Sequence, residues 1–310
     1  MSVAALPPRP LAERLWIYQR ERFPLGKTSI LLAVFSAASL SVSAHLAGRS
    51  LPGIVTFAAA WAVVLVIFFQ LRACDEVKDH EEDRRWRPER PIPRGLVTLR
   101  LIVGLGLAGV PLAAALAAAL DLSLLVPLAL VWLWLGLMTA EFFVPRWLTE
   151  RPFLYLVSHM AIMPLIDLFE TACEWLPRGG APPAGLAWFL GLSFANGCVI
   201  ELGRKVWAPE NERPGVETYS GLLGPQRAAL LWAGAASAAF ALLVGTGFAT
   251  GTAALDGAIG AVALAGLWAA ALRFRHCPTP QGQKLIDVLA GLWVLICYAT
   301  AGFAPLLAAS

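Results

Sequence analysis

Asp75-Glu76-Val77-Lys78-Asp79-His80-Glu81-Glu82-Asp83, followed by Arg84-Arg85-Trp86-Arg87-Pro88-Glu89-Arg90-Pro91, interrupts a chain that is otherwise strongly apolar. Eight of the nine residues from Asp75 to Asp83 are polar or charged, and they come directly after an apolar run ending at Phe69. Asp75, Asp79 and Asp83 recur every four residues, so on a helix they form one ladder with rungs about 6 Å apart. Like charges at that spacing weaken a helix by a few tenths of a kcal/mol per pair. A cation among the carboxylates relieves that repulsion. Oxygen-only ligands suit Mg²⁺, which takes one or two carboxylates, several waters and the phosphate oxygens of a substrate. The plain alternative is a solvated charged loop in which Lys78, Arg84 and Arg85 neutralise the acids locally.

The surroundings of this stretch are those of a membrane protein. Of 310 residues, 58% are hydrophobic and only 15% charged, against about 25% charged in a soluble domain, and the mean hydropathy is +0.67. A net charge of +3 is too small to point to nucleic acid. Cys74, Cys173, Cys198, Cys277 and Cys297 are scattered without paired spacing and read as packing residues. The Pro- and Arg-rich start carries no pattern of a cleavable signal peptide.

The expected architecture is all-α: one polytopic membrane domain over 1–310, with nine transmembrane helices. Runs long enough to cross a hydrocarbon core of about 30 Å fall at 28–48, 51–73, 96–119, 122–143, 152–174, 183–206, 225–247, 253–273 and 283–305. The segment 1–27 precedes them, and within it Leu11, Leu15 and Tyr18 share a helical face, as in a short interfacial helix. Nine crossings put 22 of the 24 basic residues on one side, leaving only Arg49 and Arg178 opposite. Positive charge stays inside, so the N-terminus and the acid ladder are expected on the cytoplasmic face of an integral membrane protein, which for a bacterial cell is the inner membrane.

A second charged stretch, Glu201 to Ser220, follows the sixth span on the same face. The loops 74–95 and 201–224 can therefore close into one pocket at the cytoplasmic face, with carboxylates for metal and arginines for phosphate. Arg87, Arg90, Arg94 and Arg204 suit bidentate phosphate recognition. In the fifth span, Tyr155, Ser158, His159 and Asp167 are polar within an apolar run, which marks either function or interhelical bonding. Asp167 and Glu170 lie nearer the far face, as structural or water-exposed groups, while Asn196 and His45 suit helix packing. Gly104-Leu105-Gly106-Leu107-Ala108-Gly109 satisfies a dinucleotide-binding pattern but lies inside a span with no preceding strand, so it reads as close helix packing.

At these two loops the chain resembles the UbiA superfamily of intramembrane prenyltransferases. The first family motif, Asn-x-x-x-Asp-x-x-x-Asp followed by Arg-Pro-(Ile/Leu)-x-x-Gly, is matched by Asp75, Asp79, Asp83 and Arg90-Pro91-Ile92-Pro93-Arg94-Gly95, although Leu71 stands four residues before Asp75. The end of the second motif is matched by Gly215, Thr218 and Leu223-Gly224, but its two Asp positions hold Trp207 and Asn211. Glu201, Glu210 and Glu212 are the carboxylates considered as replacements.

The resemblance implies nine helices, Mg²⁺ and ionisation of an isoprenoid diphosphate to an allylic cation, captured by a lipophilic acceptor among membrane lipids. It implies a catalytic role for Asp75, Asp79 and Asp83. Those three, with Glu201 and Glu210, are the expected metal ligands. The diphosphate falls to Lys78, Arg87, Arg90, Arg94, Arg204, Lys205 and Tyr219, and the acceptor or prenyl chain to Tyr155, His159 and Asn196. A UbiA-type terpene cyclase is the alternative enzyme, and a lipid-binding or transport protein the non-catalytic one. Reporter fusions at the two termini are expected to place the N-terminus in the cytoplasm and the C-terminus across the membrane. Both ends on one side would overturn the nine-helix topology.

Overall fold

A computed structural model describes residues 9–308. Among these, nine helical segments are long and apolar enough to cross a membrane, and no strand is present. A short first helix, α1 (Leu11–Arg22), precedes them. The spans are α2 (Leu25–Leu46), α3 (Ile54–Lys78), α5 (Leu99–Leu120), α6 (Leu125–Thr139), the pair α8 (Pro152–Met160) and α9 (Ile162–Trp175), α10 (Leu186–Arg204), α12 (Pro225–Thr250), α13 (Ala253–His276) and α14 (Pro280–Ala308). Short helices α4 (His80–Trp86), α7 (Pro145–Thr149) and α11 (Tyr219–Leu223) all lie in the connections at the end of the bundle that carries the acid ladder. The first part of the segment 1–27, residues 1–8, lies outside the described residues.

Three spans depart from the expectation, the fourth by ending at Thr139 before a turn at Glu141–Phe143. The second runs on to Lys78, because the charged residues from Cys74 continue the apolar helix without a break. The fifth is divided at Ala161. Pro164, in the first turn of α9, has no N–H for the carbonyl four residues back and its ring crowds that carbonyl, so the helix divides there.

Neighbouring spans pack into a ring that α14 closes against α2. The closing contact is tight: a Cβ on Gly302 would overlap the Ala38 backbone. Gly106 and Gly109 bring α5 onto Ala73 and Val66 of α3, which is the role expected for the glycines of that pattern. Trp232, Trp293, Phe169 and Phe189 fill the interior. Asp167 and Glu170 are fully buried there, which decides between the two expected alternatives for structural groups and against water exposure.

The first helix is docked onto the bundle. Tyr18 is buried against Ile92, Val97 and Ile102. Buried Glu76 of α3 accepts a 2.6 Å hydrogen bond from Arg22 Nε and a longer one from the Tyr18 hydroxyl. Arg14 Nε donates to the Leu96 carbonyl. The helix thus holds the loop after the acid ladder. Removing one partner of a buried ion pair costs about 3–5 kcal/mol. Arg22→Ala is therefore expected to lower the thermal midpoint and expose α1 to protease, while Arg22→Ala with Glu76→Gln recovers much of the loss. Unchanged stability in Arg22→Ala would refute the clamp.

Candidate active site

The ladder is helical on both sides of one turn residue, Asp79. Asp79 stands between α3 and α4, and its N–H donates to the Asp75 carbonyl at 2.9 Å. The Asp83 N–H donates to Asp79 at 2.8 Å and the Arg87 N–H to Asp83 at 2.9 Å, so the i to i−4 pattern runs through the junction. The three acids and Arg87 consequently share one face. Their side chains differ. Asp83 is buried, and Arg90 Nη1 reaches both of its oxygens, at 2.7 and 2.6 Å. Arg87 Nη1 adds a third bond at 3.0 Å. Asp75 pairs with Arg72 at 3.3 Å. Burial, and then the neighbouring Asp83, push the Asp79 carboxyl above its ordinary range, against the pull of Arg87, Arg90 and Lys78. Among the described residues no three His, Cys, Asp or Glu side chains form a group that could hold a metal.

Lys78 is the centre of a second cluster. Its ammonium lies 2.7 Å from the Tyr155 hydroxyl, 2.9 Å from His159 Nε2 and 3.2 Å from Glu141 Oε1. Three N–H donors thus meet three acceptors. His159 Nδ1 is 2.9 Å from the Tyr155 carbonyl, so that nitrogen carries the proton and Nε2 accepts from Lys78. The Tyr155 and His159 rings stack with centroids 3.8 Å apart. Glu141 was not among the residues the sequence singled out. It begins a left-handed turn, with φ of 49°, 52° and 61° at Glu141, Phe142 and Phe143. The turn sends Glu141 inward to Lys78 and lays Phe142 against Trp134 and His159.

The second loop meets the first. Gly215 has φ of 75°, and any Cβ there would collide with the Trp86 indole. Arg213 lies 3.6 Å from Glu89. Glu82 is pushed upward by burial and by Asp79 and Glu217, so acids of both loops face one another. Glu217, unlike Glu201, Glu210 and Glu212, was not considered as a replacement carboxylate. Glu201 pairs with Lys205 at 2.9 Å and more loosely with Arg204 at 3.9 Å. The Lys205 ammonium lies 5.9 Å from the Tyr155 ring centroid, which links this loop to the Lys78 cluster. Glu212 accepts from the Thr218 hydroxyl, which in turn accepts from the Gly221 N–H as the cap of α11. Tyr219 is buried and stacked on Phe153, its hydroxyl pushed upward by burial and by Glu201.

Three expected residues stand apart from this convergence. Arg94 makes a two-pronged pair with Glu21 of α1, at 3.0 and 2.8 Å, and also donates to the Glu89 carbonyl. Asn196 accepts from the Trp293 indole and ties α10 to α14. Glu210 is exposed on a 3-10 turn. An open cleft of about 490 Å³ lies beside Arg204, bounded by Asn211, Gln283 and Lys284, and does not include the ladder acids.

The left-handed turn supplies a test of its own strain. Such a conformation costs an L-residue about 1–2 kcal/mol, and glycine returns about 0.5–1 kcal/mol of that through the freedom of its unfolded chain. Phe143 is 79% exposed and loses little packing. Phe143→Gly is expected to raise the thermal midpoint modestly and Phe143→Val to lower it; the reverse order would contradict the turn.

No family model and no curated protein matches the sequence. Solved structures do match in fold. One, titled for the biosynthesis of digeranylgeranylglyceryl phosphate synthase in membranes, aligns over 94% of this chain and 99% of its own, with TM-score 0.61 and 14% identity. Another, a UbiA homolog from Aeropyrum pernix K1 without ligand, aligns over 89% and 97%, with TM-score 0.66 and 15% identity. Nine segments among the described residues that are long and apolar enough to cross a membrane, charged loops after the second and sixth, and superposition over nearly the whole chain give this protein the UbiA fold.

Proposed function

We propose that the chain is an intramembrane prenyltransferase that binds an isoprenoid diphosphate at the charged end of the bundle and passes the prenyl group to a lipophilic acceptor. The observation that carries this reading is the meeting of the two charged loops, Trp86 on Gly215 and Glu89 near Arg213, at one end of a UbiA-type bundle.

The donor set suits Mg²⁺ in the form that ion prefers, with one or two carboxylates and the rest of its shell from water and substrate phosphates. Asp75 and Asp79 would hold it. Asp83 is spent on Arg87 and Arg90, so its part is to aim two guanidiniums. Bound magnesium would supply positive charge against the charge that gathers on a departing diphosphate.

The protein's own groups divide the remaining work. A guanidinium has five N–H donors, and those of Arg87 and Arg90 not used on Asp83 suit phosphate oxygens. Arg204, exposed and only loosely paired with Glu201, is a third candidate. Lys78 has its three donors engaged within the bundle and serves better to fix Tyr155 and His159. The aromatic faces of Phe142 and Phe153 suit an allylic cation, which aromatic rings attract; those of Tyr155 are taken by His159, Lys78 and Lys205. The apolar helices below exclude the water that would quench it.

The test is diphosphate release from geranylgeranyl diphosphate, titrated with Mg²⁺, by protein in nanodiscs. Asp79→Ala is expected to abolish turnover while the protein stays folded; near-wild-type turnover would sink the metal assignment. Glu201→Gln is expected to lower magnesium affinity or turnover at least tenfold, about 1.4 kcal/mol. Superimposable curves would make Glu201 no more than the partner of Lys205. A cyclic hydrocarbon or alcohol formed without acceptor would replace transfer by cyclisation.

A further inference from the structure

Away from the charged loops, a polar seam runs through the opposite half of the bundle. Asp167, Glu170 and Glu174 lie on one face of α9, spaced over about 10 Å. Opposite them α2 presents Ser36, Ser39 and Ser43. Asp167 accepts from Ser39 Oγ at 2.6 Å and from the Tyr298 hydroxyl of α14. At the outer end Glu174 accepts from Ser43 Oγ at 2.8 Å and pairs with Arg178 at 2.9 Å and Arg49 at 3.4 Å.

Between these two satisfied acids, Glu170 has none of this support. It is 0% exposed, and neither carboxyl oxygen has a hydrogen-bond partner. Ser36, 1% exposed, is a donor that approaches it, but no hydrogen bond of ordinary geometry joins the two. The groups around Glu170 offer no counter-charge. Its own helix brings Asp167, Cys173 and Glu174. From α2 comes Ser36, and Ser39, Ser193 of α10 and Tyr298 of α14 stand at Asp167 beyond it. Arg49 and Arg178 are taken by Glu174 at the outer end. An isolated carboxylate in such a place is prohibitively costly. Among the described residues no three carboxylate, His or Cys side chains come together as a group that could hold a metal.

We propose that Glu170 is a proton-binding site, carrying a neutral carboxyl in the core and exchanging its proton with the aqueous phase opposite the acid ladder. In binding, one carboxylate oxygen forms an O–H bond with a proton delivered by hydronium, which leaves as water. The site is independent of prenyl transfer and lies outside the machinery assigned to it.

Infrared spectroscopy of the full-length protein in nanodiscs tests this directly. With isotope-labelled glutamate, the wild type is expected to show the carbonyl stretch of a protonated glutamic acid at neutral pH, shifting in D₂O and vanishing in Glu170→Gln. Diphosphate release by Glu170→Gln should stay within twofold of wild type. Absence of the band in the folded wild type would overturn the proposal. So would its removal by Na⁺ at constant pH, which would make the occupant a metal cation. Should Glu170→Gln fail to fold, the labelled spectrum of Glu82→Gln decides: Glu82 is the other glutamate whose surroundings favour the neutral form, while Glu76 and Glu174 are ion-paired, so a band that survives Glu82→Gln supports Glu170 and one that vanishes with it overturns the proposal.

Discussion

A carboxylate held where the chain leaves water must find a cation or a set of donors, and the working end of this bundle follows from that requirement. Glu76 takes Arg22, Asp83 takes Arg87 and Arg90, and Glu141 takes Lys78. Each pair joins elements that would otherwise be separate: α1 to α3, the ladder to its following loop, and the second span to the turn after the fourth. The charges are therefore both the adhesive of this end and the material of the candidate site. One group cannot serve both uses at full strength, which is why Asp83, Lys78 and Arg94 are more firmly held than a free ligand would be.

This sharing divides the charged residues by availability. Asp75 and Asp79 retain oxygen atoms that no buried guanidinium occupies, and Arg204 is more than half exposed, at 57%. Arg94 is turned to Glu21 of α1, so the match of its motif describes the shape of a loop more than a hand extended to phosphate. Gly95, in the left-handed region at φ 77°, closes that loop in a way other residues rarely do.

The spans were legible because hydrocarbon thickness fixes a length and the chain obeys it nine times. The helical ladder was legible because a four-residue period has one geometric meaning. Glu141 was not, since Glu-Phe-Phe carries none of the glycine or asparagine that usually announces positive φ. The pairing of Arg94 with Glu21 joins residues 73 apart and has no local pattern. Glu217 was hidden differently: its relation to Glu82 exists only once Trp86 has settled on Gly215. Glu170 looked close enough to an aqueous face to be wet, and only the packing of α2 over α9 shows it dry.

The contact between Gly302 and Ala38 makes the last helix a partner of the first span. Synthesis delivers these two segments at opposite ends of the process, so the ring stays open in the bilayer until the final span has been inserted. Throughout that interval Asp167 has its serine donor but not the Tyr298 hydroxyl, which arrives with α14. A chain cut short before that helix keeps the serines of α2 and α10 at Asp167 but lacks the hydroxyl that ties this acid to the closing span.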